Sequence, residues 1–193
     1  DWIGVQSEVE RERFLAIGAS PRHIEVIGNV KSDVLLSTRV CSDEIPERLK
    51  DVRLLLVAGS THSPEESWLL ESFLALRVSF PELRLVLAPR HIQRGDSLER
   101  LVRKFGLHAT RWSRFRSAGS EWDVLILDQV GFLSSLYGNA DVVVIGGSFV
   151  DRGGHNLLEA AAQKRAIIIG PHVQHFQDIV ERFDRTHSVI WLK

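Results

Sequence analysis

The stretch Gly146-Gly147-Ser148-Phe149-Val150-Asp151-Arg152-Gly153-Gly154-His155-Asn156-Leu157-Leu158-Glu159 decides how this chain is read. An apolar run, Asp141 to Ile145, precedes it, and an Ala-rich helical pattern, Leu157 to Lys164, follows. Glycines between a strand and a helix let the backbone turn sharply and leave its N–H groups uncovered. With the positive end of a helix, such donors make an anion site. Asn156 stands where a helix cap would stand, and Glu159 lies three residues on, near the same rim. A carboxylate there repels phosphate unless it has another task, such as accepting hydrogen bonds from ribose hydroxyls. The stretch predicts a nucleotide held by its sugar and phosphate, with Gly146, Gly147, Ser148, Asn156 and Glu159 as contacts.

Outward from this loop, apolar runs alternate with amphipathic stretches along the whole chain, the pattern of a parallel sheet covered by helices on both faces. Strands are expected at Trp2–Gln6, Ile24–Gly28, Arg53–Gly59, Leu83–Ala88, Val124–Leu127, Val142–Gly146, Ala166–Gly170 and Val189–Leu192, with a short one at His108–Trp112. Helices are expected near Glu8–Ile17, Pro64–Ser79, Ser97–Phe105, Phe132–Tyr137, His155–Lys164 and Phe176–Asp184. The polar, mixed segment Arg114–Trp122 reads as a surface loop. The fold class is therefore α/β, Rossmann-like.

Composition narrows the classes. The 193 residues are 44% hydrophobic and 25% charged, enough for one or two globular units. A net charge of -1 without a basic block gives no reason to expect nucleic acid. The one cysteine, Cys41, cannot form an internal disulfide, which fits a reducing compartment. No apolar run approaches the length of a membrane span. A boundary is expected in Lys31–Leu49, where Ser32-Asp33, Cys41-Ser42-Asp43 and Pro46 interrupt the pattern. Residues 1–30 then form a strand–helix–strand unit that cannot bury both faces of its own sheet. Residues 31–193 form the nucleotide-binding domain. Because the first and last runs already read as strands, the chain is expected to be part of a longer protein, truncated at both ends.

Other loops follow strands at the edge where open α/β sheets bind ligands. Gly59-Ser60-Thr61-His62 precedes the helix that starts at Pro64 with Glu65 and Glu66. Ser60 and Thr61 read equally as helix caps or as ligand contacts, and the Pro and the acids read as ordinary helix-start chemistry. Arg90, in Ala88-Pro89-Arg90-His91, suits a phosphate or a base edge but also suits solvent. Gly131, after Asp128-Gln129-Val130, permits close backbone approach, although a turn alone explains it. His172 and His175 share spacing without a carboxylate or cysteine partner, so metal is not expected. His155 fits a structural hydrogen bond as well as a phosphate contact. No Ser-His-Asp or Cys-His arrangement points to a hydrolase.

In this order the pieces resemble the C-terminal half of the bacterial Kdo transferases, which attach 3-deoxy-D-manno-octulosonic acid (Kdo) to lipid A precursors. The resemblance is carried by Gln6-Ser7-Glu8, Arg13-Phe14, Gly18-Ala19 and Gly28-Asn29-Val30-Lys31-Ser32-Asp33. It continues through Gly59-Ser60-Thr61-His62, Ala88-Pro89-Arg90-His91, Leu136-Tyr137, Ala140-Asp141, the glycine loop and Gly170-Pro171-His172. It implies the C-terminal domain of a GT-B glycosyltransferase: inverting, without a metal or other cofactor, with CMP-Kdo as donor substrate. The acceptor is a lipid A precursor, and the general base is a glutamate in an N-terminal domain absent here. Membrane contact, at the cytoplasmic face of the bacterial inner membrane, belongs to that missing half, and the fragment alone is expected to be inactive.

On this resemblance Lys31 faces the acidic sugar, and Arg90 lies near the cytosine or phosphate. Ser148, its neighbouring backbone and Asn156 hold phosphate, Glu159 binds ribose, and Ser60 and His62 line the pocket. Three places depart from the family pattern: Pro64-Glu65-Glu66 for Gly-Glu-Glu, Gly131-Phe132-Leu133 for Gly-Glu-Leu, and His175-Phe176 for Asn-Phe. Contact at the second departure runs through the Gly131 backbone or through stacking of Phe132 on the base. Two alternatives stand beside this reading: a non-catalytic nucleotide-binding module, and a GT-B transferase that uses another nucleotide sugar.

Overall fold

The computed structural model describes residues 1–28, 45–115 and 121–192. The chain divides into two compact units, Asp1–Arg39 and Val40–Lys193. The boundary expected between residues 30 and 31 lies outside the described residues, as do Lys31 and Cys41.

In the first unit, strand β1 (Ile3–Val5) pairs in parallel with β2 (Ile24–Val26), and helix α1 (Glu8–Ala16) connects them. Ser7 caps the helix by accepting from the Glu10 N–H at 3.3 Å, while the Glu10 carboxylate reaches back to the Gln6 N–H at 2.9 Å. Gly18, at φ +95°, ends it, with the Ala19 N–H closing on the Phe14 carbonyl at 3.0 Å. None of the α1 residues is buried within this unit.

The second unit begins with a short helix, α2 (Glu47–Lys50), followed by β3 (Leu54–Thr61), α3 (Glu65–Arg77), β4 (Leu83–Pro89) and α4 (Gly95–Lys104). Then come β5 (Ala109–Arg111), α5 (Trp112–Phe115), β6 (Val124–Ile126), α6 (Leu133–Asn139) and β7 (Val142–Ile145). The series closes with α7 (Leu158–Ala162), β8 (Ala166–Ile169), α8 (Gln177–Arg185) and β9 (Val189–Trp191). The seven strands form one sheet in the order β5-β6-β4-β3-β7-β8-β9, and every pairing is parallel. This is the expected α/β, Rossmann-like architecture.

Strand residues alternate between two apolar cores. Leu55 and Val57 of β3 join Val86, Leu125 and Val143 on one face, while Leu56 and Ala58 join Leu85, Leu87, Ile126 and Val144 on the other. Both faces are covered, which is why these strands read as continuous apolar runs. Leu70 and Phe73 of α3 with Leu98 and Val102 of α4 close one face, and Leu49 of α2, Leu136 of α6 and Val180 of α8 help to close the other.

Two expectations are corrected. The segment Arg114–Trp122 is not simply a surface loop: Phe115 is fully buried and Trp122 nearly so, and their rings meet edge to face at 5.4 Å. The helix after the glycine loop starts at Leu158 and has five residues, later and shorter than His155–Lys164. Helix α2, with buried Leu49, was not expected at all. Among the described residues, no helix is long and apolar enough to cross a membrane.

Candidate functional site

Because the sheet is parallel throughout, the loops leaving β3, β4, β6, β7 and β8 all start at one edge. Strand β3 lies between β4 and β7, so the chain leaves it toward one side of the sheet and later continues on the other. Such a switch point opens a crevice at the strand C-terminal ends. The loops after β3 and β7 meet there, where the Gly146 N–H donates to the Gly59 carbonyl at 2.7 Å. A Cβ on Gly146 would stand 2.5 Å from the Ser60 carbonyl oxygen, so only glycine admits this approach. Ser60 itself is held at φ +56°, where a side chain is disfavoured, at a break in the β3–β4 register.

The two loops are joined by an acid that the sequence reading assigned to ordinary helix-start chemistry. Glu65, 1% exposed, accepts from the His62 N–H at 2.7 Å, the Gly147 N–H at 2.9 Å and the Phe149 N–H at 3.1 Å. Burial raises its pKa, and the three backbone donors pull it back toward the charged form. Its neighbour Glu66, equally buried, accepts from the Thr61 hydroxyl at 3.0 Å and takes both arms of the Arg94 guanidinium at 2.6 and 3.2 Å. Neither Ser60 nor Thr61 caps α3, whose cap position is Pro64. The signal in the sequence was the position of two acids beside a loop of unspent N–H donors. Only the tertiary approach of Gly147 reveals the use made of it.

This bonding corrects the expected phosphate cradle. The Gly146, Gly147 and Phe149 N–H groups are spent within the protein. Ser148 is fully buried; its hydroxyl donates to the Ile145 carbonyl at 2.5 Å and accepts from the Gly170 N–H at 2.8 Å. It staples the end of β7 to the end of β8 and presents no group to a ligand. Asn156 does serve the helix start, its Oδ1 accepting from the Leu158 N–H at 3.0 Å.

What faces the crevice instead is a histidine pair. His62, after β3, and His155, in the glycine loop, lie with their Nε2 atoms 2.8 Å apart and their rings nearly parallel. His91 meets His62 edge to face at 6.0 Å. Burial, then the neighbouring His62 and Arg90, holds His155 down to about 4, and burial followed by Arg152 lowers His62. Arg90 is exposed, with its backbone N–H on the Thr61 carbonyl at 3.0 Å. Glu159 is half-buried, with its pKa raised by burial, and among the described residues nothing donates a hydrogen bond to its carboxylate. Gly131 is exposed at φ +102°. Phe132, partly buried, packs against the core and lies tilted against Trp112 at 5.0 Å. The structure therefore brings Ser60, His62, Gly146 and Gly147 together and places Arg90 near His155. Among the described residues, no group of three or more His, Cys, Asp or Glu side chains is placed to hold a metal ion.

No family model matches the chain. It is 37% identical over 187 residues to a 3-deoxy-D-manno-octulosonic acid transferase of Chlamydophila psittaci, covering 94% of this chain and 42% of that protein. To the protein of the same name from Haemophilus influenzae it is 30% identical over 190 residues, covering 97% of this chain and 44% of that protein. The chain thus spans less than half the length of these curated relatives. Its structure matches the C-terminal CMP-Kdo binding domain of WaaA from Acinetobacter baumannii with a TM-score of 0.72 and 26% identity, over 83% of each chain. In sequence and in fold the chain is similar to the C-terminal part of 3-deoxy-D-manno-octulosonic acid transferases.

Proposed function

We propose that this chain is the donor-binding part of a Kdo transferase: it binds CMP-Kdo, and the complete protein passes Kdo to a lipid A precursor at the cytoplasmic face of the inner membrane. The observation that carries the reading is the likeness, over 83% of both chains, to a CMP-Kdo binding domain. The crevice at the β3–β7 switch point supplies suitable chemistry. Glu159 accepts from the ribose hydroxyls. The phosphate faces His62, His155 and Arg90. In the transfer step a sugar hydroxyl of the acceptor attacks the anomeric carbon of Kdo and CMP departs. This domain then contributes electrostatic stabilisation of the leaving phosphate, and the general base comes from the remainder of the protein. No step calls for a metal.

Calorimetry with CMP, UMP and UDP tests the proposal. Clear preference for CMP is the expected result. Preference for UDP moves the chain to a transferase of another nucleotide sugar, and binding of none of the three by the folded chain overturns the reading.

A further inference from the structure

We infer that His62 and His155 act as one proton-accepting unit, so that an anionic phosphate entering the crevice brings a proton onto the pair. The inference rests on the reading of this crevice as a phosphate-binding site and deepens it.

The geometry limits the pair to two states. At an Nε2–Nε2 separation of 2.8 Å, one nitrogen carries the hydrogen and the other offers its lone pair. With one added proton, the cation donates to a neutral partner and the contact survives. With two, both Nε2 atoms carry hydrogen and the N–H groups collide head to head. The pair therefore takes one proton, not two. The loop is built to hold the rings this close: a Cβ on Gly147 would stand 2.8 Å from His155 Cδ2 and 3.4 Å from His62 Cδ2.

The surroundings decide when that proton arrives. His62 is faced by Arg152 of the glycine loop, by His91 and Arg94 from the segment after β4, and by Glu66 of α3. His155 is faced by Arg90 and His91 after β4 and by His175 after β8. Two acids lie close by: Glu66, which Arg94 already claims in a bidentate ion pair, and Glu65, whose carboxylate is taken up by the backbone N–H groups of His62, Gly147 and Phe149. Without an anion, burial first and then the neighbouring imidazoles and arginines keep the pair neutral near pH 7. A phosphate carrying up to two negative charges reverses the local field and favours the shared cation.

Calorimetry of the full chain at pH 7, in buffers of different ionisation enthalpy, reads the protons taken up per ligand bound. The probes are CMP, cytidine and inorganic phosphate. We expect roughly half a proton or more to be taken up with CMP, and none with cytidine, which lacks the phosphate. The second ionisation of a phosphate monoester lies near pH ~6, so the ligand's own contribution is small and of opposite sign. His62→Gln and His155→Gln should each abolish the uptake. Should either variant fold poorly, the imidazole nitrogen resonances of the wild-type chain give the same answer: the His155 titration moves upward when CMP is added. CMP binding without proton uptake overturns the inference and leaves the proposed function intact. Uptake that persists in both variants also overturns it. Proton-linked binding of inorganic phosphate, with no binding of CMP, supports the inference and overturns the nucleotide reading.

Discussion

Glu65 Oε2 lies 2.9 Å from the backbone nitrogen of Gly147, a residue 82 positions further along the chain. The same oxygen accepts from the His62 N–H at 2.7 Å, and the other carboxylate oxygen takes the Phe149 N–H at 3.1 Å. One buried acid thus fixes the loop after β3 to the loop after β7 and sets the spacing of the two histidines those loops carry. A neutral amide cannot replace it. In Glu65→Gln one of the three N–H groups would face an NH₂, leaving a buried donor unpaired. Loss of such a bond costs about 1–3 kcal/mol. We expect a fall in stability of that size by urea denaturation, together with weaker CMP binding as the loops separate. Unchanged stability would show that the clamp is dispensable.

Ser148 gives the contrasting case. Its hydroxyl spans the Ile145 carbonyl and the Gly170 N–H without exposure to solvent. Ser148→Ala leaves the Gly170 donor unsatisfied, so stability should drop by about 1–3 kcal/mol. CMP affinity, measured where the variant is fully folded, should stay within a few fold of the unsubstituted chain. A large affinity loss with full stability would return Ser148 to the ligand contacts.

Glu159 should behave in the opposite way. It is half-buried and no described residue donates to it, so Glu159→Gln removes little from the fold. Its value lies in accepting from ribose hydroxyls, and a hydrogen bond to a charged group contributes about 1.5–3 kcal/mol. CMP affinity should therefore fall by roughly ten-fold or more with the melting temperature nearly unchanged. Equal affinity in the two proteins would make Glu159 a surface acid of α7.

The sheet was legible because its strands are buried on both faces: Leu54 to Thr61 and Leu83 to Pro89 read as apolar runs of strand length in any register. The crevice was legible too, since glycines 146 and 147 follow a strand and the first of them is required by backbone contact. Roles set by distant partners were not. Ser148 in a glycine loop looks like a phosphate ligand until the end of β8 arrives beneath it. Phe132 looks free until Trp112, twenty residues earlier, meets one side of it in a tilted ring contact. Glu65 looks like routine helix-start charge because two of its three donors come from a loop far along the chain. Local pattern records which groups exist, while burial decides which remain free.

The histidine pair makes stability depend on pH in a definable window. His155 is held down to about 4 in the folded chain, against 6.5 for an ordinary imidazole. Between those values the unfolded chain binds a proton that the native chain does not. The contribution is therefore fully present above about pH 6.5 and is lost as the pH falls toward 4. His62, also lowered, acts in the same direction. Glu65 and Glu159 oppose it: their raised values let the native chain protonate first, which favours folding as the pH falls toward the unfolded carboxylate value. A single site limits the slope to about 1.4 kcal/mol per pH unit, and partial solvent exposure of His155 reduces this. Urea midpoints between pH 7.5 and 4.5 should fall more steeply for the unsubstituted chain than for His155→Gln, which has no proton to gain at that position. Parallel curves for the two proteins would mean that His155 titrates alike folded and unfolded, and that its burial beside His62 carries no electrostatic cost.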